Sequence, residues 1–441
     1  RSQFQGKTAR SVVAFTGRQI PPQDRTIQMQ QPIIPAKPQL RPVEPNWVDH
    51  EGQRFLYLRD PLGMSDLTVL LPQQIAPLVM FMDGERSLSE LRSALQQAAG
   101  VAVTEDDIRT IVSQLDQALM IENGSYIAAA KRSIDAYRNA DFRPPSHAGP
   151  VYPGQPEALA QTITKYVSLV PTSQPKAKGG DLSGMLCPHI DYDRGHKTYA
   201  ALWEAAKPDL SDIELVIILG TDHKGSLGKI TPTRQNYATP YGTLPTDIEI
   251  VDKLASVIGS KAAFEEEIHH ASEHSIELAS VWLHHYTRDL EVNVVPILCG
   301  SFHHFTSGAS DPSDDENITA TLELLREYMA QRRTLVISAG DLAHVGPAFG
   351  DAHSLDAGLR AKLRANDKKS IEAMLNGDPS KFFEISREES DSRRICGLPP
   401  TYLMLRLLEG TKGDSLGYDQ CPADDQNASA VSIVGALLYD G

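Results

Sequence analysis

Residues 185–195 read Met-Leu-Cys-Pro-His-Ile-Asp-Tyr-Asp-Arg-Gly, and this stretch decides the fold. A short apolar run stops at Pro188, which has no N–H to give a strand ladder. His189 therefore stands where a strand opens into a loop, with Asp191, Tyr192 and Asp193 close behind. The same grammar recurs downstream. Ile213–Gly220 runs into Thr-Asp-His-Lys-Gly with His223, and Val292–Gly300 runs into Ser-Phe-His-His with His303 and His304. Thr334–Ser338 runs into Ala-Gly-Asp-Leu-Ala-His with Asp341 and His344. Buried strands whose C-terminal loops carry polar groups are how open α/β sheets build ligand sites. The expectation is that all four loops converge on one crevice.

Around these strands the sequence alternates with helical periodicity. Helices are expected over 196–206, 247–258, 272–286, 315–332, 354–374, 379–385 and 400–408, with a closing strand at Ala430–Tyr439. Strands separated by helices imply an α/β fold, a mixed or largely parallel sheet flanked by helices on both faces. The 441 residues exceed one ordinary core, so a second domain is expected. Residues 1–45, broken by seven prolines from Pro21 to Pro45, read as a flexible or extended arm. Residues 46–140 read as a small accessory domain. It has a strand at Arg54–Arg59, helices at 73–82 and 87–99, and a third helix capped by Thr104. Asn123-Gly124 suggests a hairpin wing over Ile121–Ile127. Helices plus a terminal hairpin resemble the PqqD-like winged helices, which bind peptides. A docking or dimerisation module is the plainer reading. After a Pro-rich joint at Phe142–Ser146, the main domain spans 146–441.

The formal net charge of −15 argues against nucleic-acid or acidic-membrane binding, which needs a basic face. No apolar run approaches the roughly 20 residues of a membrane span. No basic start, hydrophobic core and cleavage site combine at the N-terminus, so no secretory signal is read. Cys187, Cys299, Cys396 and Cys421 form no Cys-x-x-Cys pair, which points to reduced thiols in a cytoplasmic setting. Of fourteen histidines only His50 precedes His147, so the chemistry belongs to the later two-thirds.

A histidine directly after a strand, with carboxylates nearby, suits a divalent metal. Taken singly, His189 and His223 could equally be structural. Asp341 and His344 lie three residues apart and can face one site, although such a pair can also simply pin a loop. Glu273-His274-Ser275-Ile276-Glu277 opens a helix, where Ser272 and the acids could act as caps. Cys396 follows Arg393 and Arg394; a thiolate there would favour iron, copper or zinc over magnesium, whereas a lone thiol can be inert core. His269-His270 and His284-His285 lie on helical segments and read as surface or packing residues.

Together these blocks resemble the Memo family, called AmmeMemoRadiSam system protein B in prokaryotes. The resemblance runs from Ser146 to Gly441 through six blocks in the family's order. These are Ser-His-Ala-Gly at 146–149, Cys-Pro-His-Ile-Asp-Tyr at 187–192, Ile-Leu-Gly-Thr-Asp-His at 218–223, Glu-His-Ser-Ile-Glu at 273–277, Ser-Ala-Gly-Asp-Leu-Ala-His at 338–344 and Ile-Cys-Gly at 395–397. The resemblance implies the fold of class III extradiol dioxygenases, non-haem iron enzymes. It implies metal ligation by His189, His223 and Cys396, with Cys396 in place of a ligating glutamate. It implies acid/base work for His344, with Asp341 in the same pocket. Asp191, Tyr192, Glu273 and His274 are the substrate contacts expected. Three positions depart from the family pattern: Ile190-Asp191 after His189, Lys224 after His223, and Ala279 six residues after Glu273. The cofactor expected is a divalent or redox metal, iron or copper before zinc. The function expected is redox or oxygen-linked chemistry on a small molecule or peptide, as a dioxygenase-like non-haem oxidoreductase. Two rivals are a non-catalytic metal- or peptide-binding adaptor, with a partner protein docked on the N-terminal domain, and a hydrolase using metal-bound water.

Overall fold

A computed structural model describes residues 12–14, 34–50, 52–65, 67–171, 180–308 and 310–440. The chain divides into two compact units, Arg1–Tyr137 and Arg138–Gly441. Among the described residues no helix is long and apolar enough to cross a membrane.

The first unit is a four-stranded sheet with helices. β1 (Val12–Ala14) runs parallel to β4 (Thr68–Pro72), and β2 (Glu44–His50), β3 (Gln53–Arg59) and β4 form an antiparallel meander. The short α1 (Leu78–Phe81) precedes α2 (Leu88–Ala99) and α3 (Glu105–Gln117). Reciprocal capping boxes, Ser87 with Glu90 and Thr104 with Asp107, start the two longer helices. The expected hairpin wing at 121–127 is absent; α4 (Gly124–Arg138) takes its place. Asn123, read as a turn residue, instead accepts hydrogen bonds from the N–H groups of Ser125 (3.0 Å) and Tyr126 (3.1 Å), as an N-cap does. The extended-arm expectation fails for residues 34–45, which belong to this unit. There Arg41 is buried and pairs with Asp60 at 2.6 Å. Residues 1–11 and 15–33 of that arm lie outside the described residues.

The second unit has the expected α/β architecture. α5 (Pro156–Val167) precedes β5 (Leu182–Cys187), and α6 (Tyr192–Ala206) connects β5 to β6 (Leu215–Thr221). Short strands β7 (Ile230–Pro232), β8 (Tyr237–Thr239) and β9 (Gly242–Leu244) follow. Helices α7 (Ile248–Ile258), α8 (Ser260–Phe264) and α9 (Ser275–Thr287) lead to β10 (Asn293–Cys299). Helices α10 (His303–Ser307) and α11 (Glu316–Met329) lead to β11 (Thr334–Ala339) and the two-residue β12 (His344–Val345). Helices α12 (Ala357–Leu375), α13 (Pro379–Glu388) and α14 (Leu398–Leu407) precede a closing hairpin of β13 (Lys412–Pro422) and β14 (Ala430–Tyr439).

The sheet order is β12-β14-β5-β11-β6-β10-β7, with β13 also paired to β14. β5, β11, β6 and β10 are mutually parallel, while β14 and β7 flank them antiparallel. Every residue of β6 is buried, and its side chains alternate between two cores. Leu215, Ile217 and Leu219 pack among residues of α7, α11, α13 and α14; Val216 and Ile218 pack among residues of α5, α6 and α9. β11, late in sequence, inserts between β5 and β6. The loops leaving β5, β6 and β11 therefore emerge side by side, while the loop after β10 leaves from the far side of β6.

The Pro-rich stretch at 142–146 is anchored inside the second unit. Arg143 is fully buried and donates to the carbonyls of His270 (2.7 Å) and Glu273 (2.9 Å), and its Nη1 lies 2.5 Å from Glu277 on α9. Burial opposes a charge on Glu277, but Arg143, His147 and Tyr152 outweigh it and hold the carboxyl well below the usual range. This contribution is present above the unfolded carboxyl pKa and is lost as pH falls through the folded one. Arg143→Met is thus expected to destabilise the fold by about 3–5 kcal/mol near neutral pH. Denaturant titrations should show the gap to the parent narrowing below about pH 4; a gap independent of pH would contradict this. Because each unit buries its own core, a fragment beginning at Arg138 is expected to melt cooperatively. A featureless near-UV circular dichroism spectrum from it would contradict independent folding.

Candidate functional site

Three strand ends build the site. After β5, Pro188 releases the chain and the Asp341 carboxylate receives the N–H groups of His189 (2.8 Å) and Ile190 (3.3 Å). After β6 comes His223, whose N–H points to Glu273 Oε2 at 3.2 Å. After β11 come Asp341 and then His344, held because β12 pairs with Ala430 and Val431 of β14. Cys396 arrives from the turn before α14, where the Thr221 hydroxyl donates to its carbonyl (2.9 Å) and the Gly397 N–H donates to the Asp341 carbonyl (2.9 Å). That turn lies so close to β11 that a Cβ on Gly340 would sit 2.5 Å from Gly397 Cα, which only glycine permits. The result is a cleft of about 470 Å³ at the carboxyl end of the sheet, lined by His147, His189, His223, His274 and His344 among others.

These five imidazoles share one hydrogen-bonding pattern, with Nδ1 toward a protein acceptor. His189 Nδ1 faces the Ala339 carbonyl at 3.0 Å, and His344 Nδ1 faces the carbonyls of Leu342 and Arg394, each at 3.2 Å. His223 Nδ1 lies 3.1 Å and His274 Nδ1 2.9 Å from Glu273, and His147 Nδ1 lies 3.0 Å from Glu277. A carbonyl or carboxylate can only accept, so each Nδ1 carries a proton and each Nε2 is turned away from that acceptor. The rings of His189, His223 and His274 stand 4.8–5.0 Å apart, with His223 and His274 stacked. Cys396 Sγ lies 3.2 Å from His189 Nε2. One ligand atom each from His189, His223 and Cys396 fall within 4.8 Å of one another.

Burial, then the neighbouring His274 and His223, pushes His189 well below the ordinary imidazole range. His223 is the opposite case: burial opposes its charge, but Glu273 and the Cys396 sulfur prevail and hold it well above that range. Glu273, in turn, is held well below the carboxylate range by His223 and His274 against the opposing effect of burial. Burial raises Asp341 to about 7 and lowers His344 to about 4. Burial also raises the Cys396 thiol, partly offset by His223.

The expected site residues are therefore mostly together. His189, His223, His274, Asp341 and His344 line the cleft, Cys396 meets His189 and His223 beneath them, and Glu273 stands behind two of the histidines. Asp191 reaches the cleft wall, but its carboxylate caps α6 (Arg194 N–H, 3.1 Å) and pairs with the Arg194 side chain at 2.5 Å. Tyr192 does not line the cleft. α6 begins four residues earlier than expected because Asp191 caps it, which turns Tyr192 into the core with its hydroxyl on the Leu278 carbonyl (2.7 Å). The loop after β10 is also outside: His303 and His304 do not line the cleft, because β6 separates β10 from β11 and β5. His269, His270 and His284 are packing residues, buried with partners on Asp222, Tyr237 and Thr239, and none is a surface residue. His147 and Glu277 lie in the 146–149 and 273–277 blocks without an expected site role, although Glu273 and Glu277, four residues apart, can share one face.

A Memo-like protein family model matches residues 143–437. MEMO1 family proteins are similar over long spans. One from Aquifex aeolicus is 27% identical over 394 residues, 88% of this chain and 96% of that protein. One from Thermus thermophilus is 26% identical over 356 residues, 80% of this chain and 98% of that protein. One from Methanosarcina mazei is 23% identical over 306 residues, 68% of this chain and 100% of that protein. The matched segment starts at the buried Arg143 and contains every residue of the cleft, and on this footing the chain belongs to the Memo-like family.

Proposed function

We propose that His189, His223 and Cys396 hold a redox-active metal, iron or copper, and that the cleft carries out oxygen-linked chemistry on a small molecule or a peptide. The observation that carries this reading is the meeting of three ligand atoms within 4.8 Å, each histidine already committed through Nδ1 to a protein acceptor. Metal-binding histidines are oriented in this manner by carbonyls and carboxylates behind them. Two imidazoles and one thiol make a soft donor set, better suited to copper, iron or zinc than to magnesium or calcium. Bound there, such a metal would supply electron transfer and activation of oxygen.

The remaining groups would handle protons. With burial placing it at about 4, His344 is neutral near pH 7 and its Nε2 can accept a proton from a substrate. Asp341, raised to about 7, holds the backbone of His189 and Ile190 and can share a proton at its carboxyl. Val151, Ile190, Leu278, Phe349 and Val431 line the same cleft and would exclude water around an apolar substrate body.

Metal analysis of protein purified without oxygen, followed by oxygen-uptake assays, tests the reading. The parent is expected to carry iron or copper, and Cys396→Ser to lose it on desalting with an unchanged melting curve. His344→Ala is expected to keep the metal and lose turnover. Glu273→Gln, which unsettles the orientation of His223, should weaken metal affinity by about 10–100-fold. Full metal retention by Cys396→Ser would remove the thiol from the ligand set. Ester or amide hydrolysis with a zinc-loaded protein and no oxygen uptake would favour a hydrolase instead.

A further inference from the structure

His147 stands outside the metal-ligand set, yet it is one of the most deliberately held side chains in the cleft. The ionised carboxylate of Glu277 collects the N–H groups of Ser146 (3.1 Å) and His147 (2.8 Å), the hydroxyls of Ser146 (3.0 Å) and Tyr152, and Arg143. His147 Nδ1 lies 3.0 Å from the same carboxylate. Glu277 can only accept, and the Ser146 hydroxyl, 2.9 Å from Nδ1, gives its own proton to Glu277. Nδ1 therefore carries a proton, and in the neutral ring the lone pair sits on Nε2. Among the described residues no hydrogen bond to His147 Nε2 is made, while the ring lines the cleft with its side chain a quarter exposed. The ring lies 5.8 Å from His274, which itself contacts both His189 and His223.

We propose that His147 is a second proton-accepting group of the cleft, presented by Glu277. It differs from His344 in what stands behind it: two neutral carbonyls for His344, a buried carboxylate for His147. A carboxylate behind an imidazole fixes its tautomer and stabilises the positive charge that a captured proton places on the ring. Arg143 keeps Glu277 ionised, so the carboxylate serves as an acceptor throughout. The ligand served is one bearing a hydroxyl or amine beside an apolar body, since Val151, Leu278 and Phe349 share the wall. Its O–H or N–H proton passes to Nε2, the bonding pair stays on the heteroatom, and the imidazolium later returns the proton. This assignment goes beyond the metal reading and does not depend on which metal is bound.

The test uses the full chain without metal, so failure of the ligand assignment cannot disguise failure here. Nitrogen NMR of the imidazoles is expected to show His147 as the Nδ1–H tautomer; the Nε2–H tautomer would overturn the proposal. Diethyl pyrocarbonate, which acylates free imidazole nitrogens, is then used at pH 8 with mass-spectrometric assignment. His147 is expected to react several-fold faster than His344, and Glu277→Gln to slow it several-fold, with Tyr152→Phe near the parent rate. Reaction at the same rate in folded Glu277→Gln would overturn it. If that variant does not fold, the parent tautomer decides.

Discussion

The cleft depends on one constraint: every imidazole that lines it is tied by Nδ1 to an acceptor of the protein itself. An imidazole left free to flip offers either nitrogen and loses rotational freedom on binding anything. Here that cost is met during folding, and five Nε2 atoms are left for the cleft. The acceptors are of two kinds. Backbone carbonyls of Ala339, Leu342 and Arg394 stand behind His189 and His344, whereas buried carboxylates stand behind His147, His223 and His274. The distinction sorts the rings chemically, because a carboxylate supports a positive charge on the ring or on a ligand, and a carbonyl does so more weakly.

The acceptors stay in place because of the sheet. Insertion of β11 between β5 and β6 puts the Ala339 carbonyl beside His189 and brings Asp341 under its backbone. α9 carries Glu277, with Glu273 just before it, so one short segment backs three of the five rings. Burying two carboxylates would be unfavourable if they were alone. Glu273 is offset by His223 and His274 and Glu277 by Arg143, and each receives several backbone or hydroxyl donors. Close approach of Gly340 to Gly397 then sets Cys396 against His189.

Much of this was legible in the sequence, for physical reasons that can be named. Strands buried on both faces are apolar runs, so the parallel β5, β6, β10 and β11 and the antiparallel β14 stand out, and the polar residues following the parallel four mark the carboxyl edge. Strand order is not written in such runs, and so the β10 loop with His303 and His304 could not be separated from the other three. β13 was not anticipated because it is only partly buried and rich in glycine and acids. Asn123-Gly124 has two local meanings, hairpin turn and helix cap, and only tertiary context chose the second. Tyr192 was misplaced by a single cap: Asp191 starts α6 early and turns the phenol inward. Arg143 and Glu277 are polar residues whose importance lies in being buried together, a pairing across more than a hundred residues that no local pattern reveals.

The central claim is that two imidazole nitrogens and one thiolate converge on a single metal. X-ray absorption spectroscopy of the metal-loaded protein tests it most directly. The metal is expected to show sulfur at about 2.3 Å together with nitrogen at about 2.0–2.1 Å, distances typical of thiolate and imidazole ligation, with the sulfur contribution abolished in Cys396→Ser kept in excess metal. A shell of nitrogen and oxygen alone in the parent protein would contradict it.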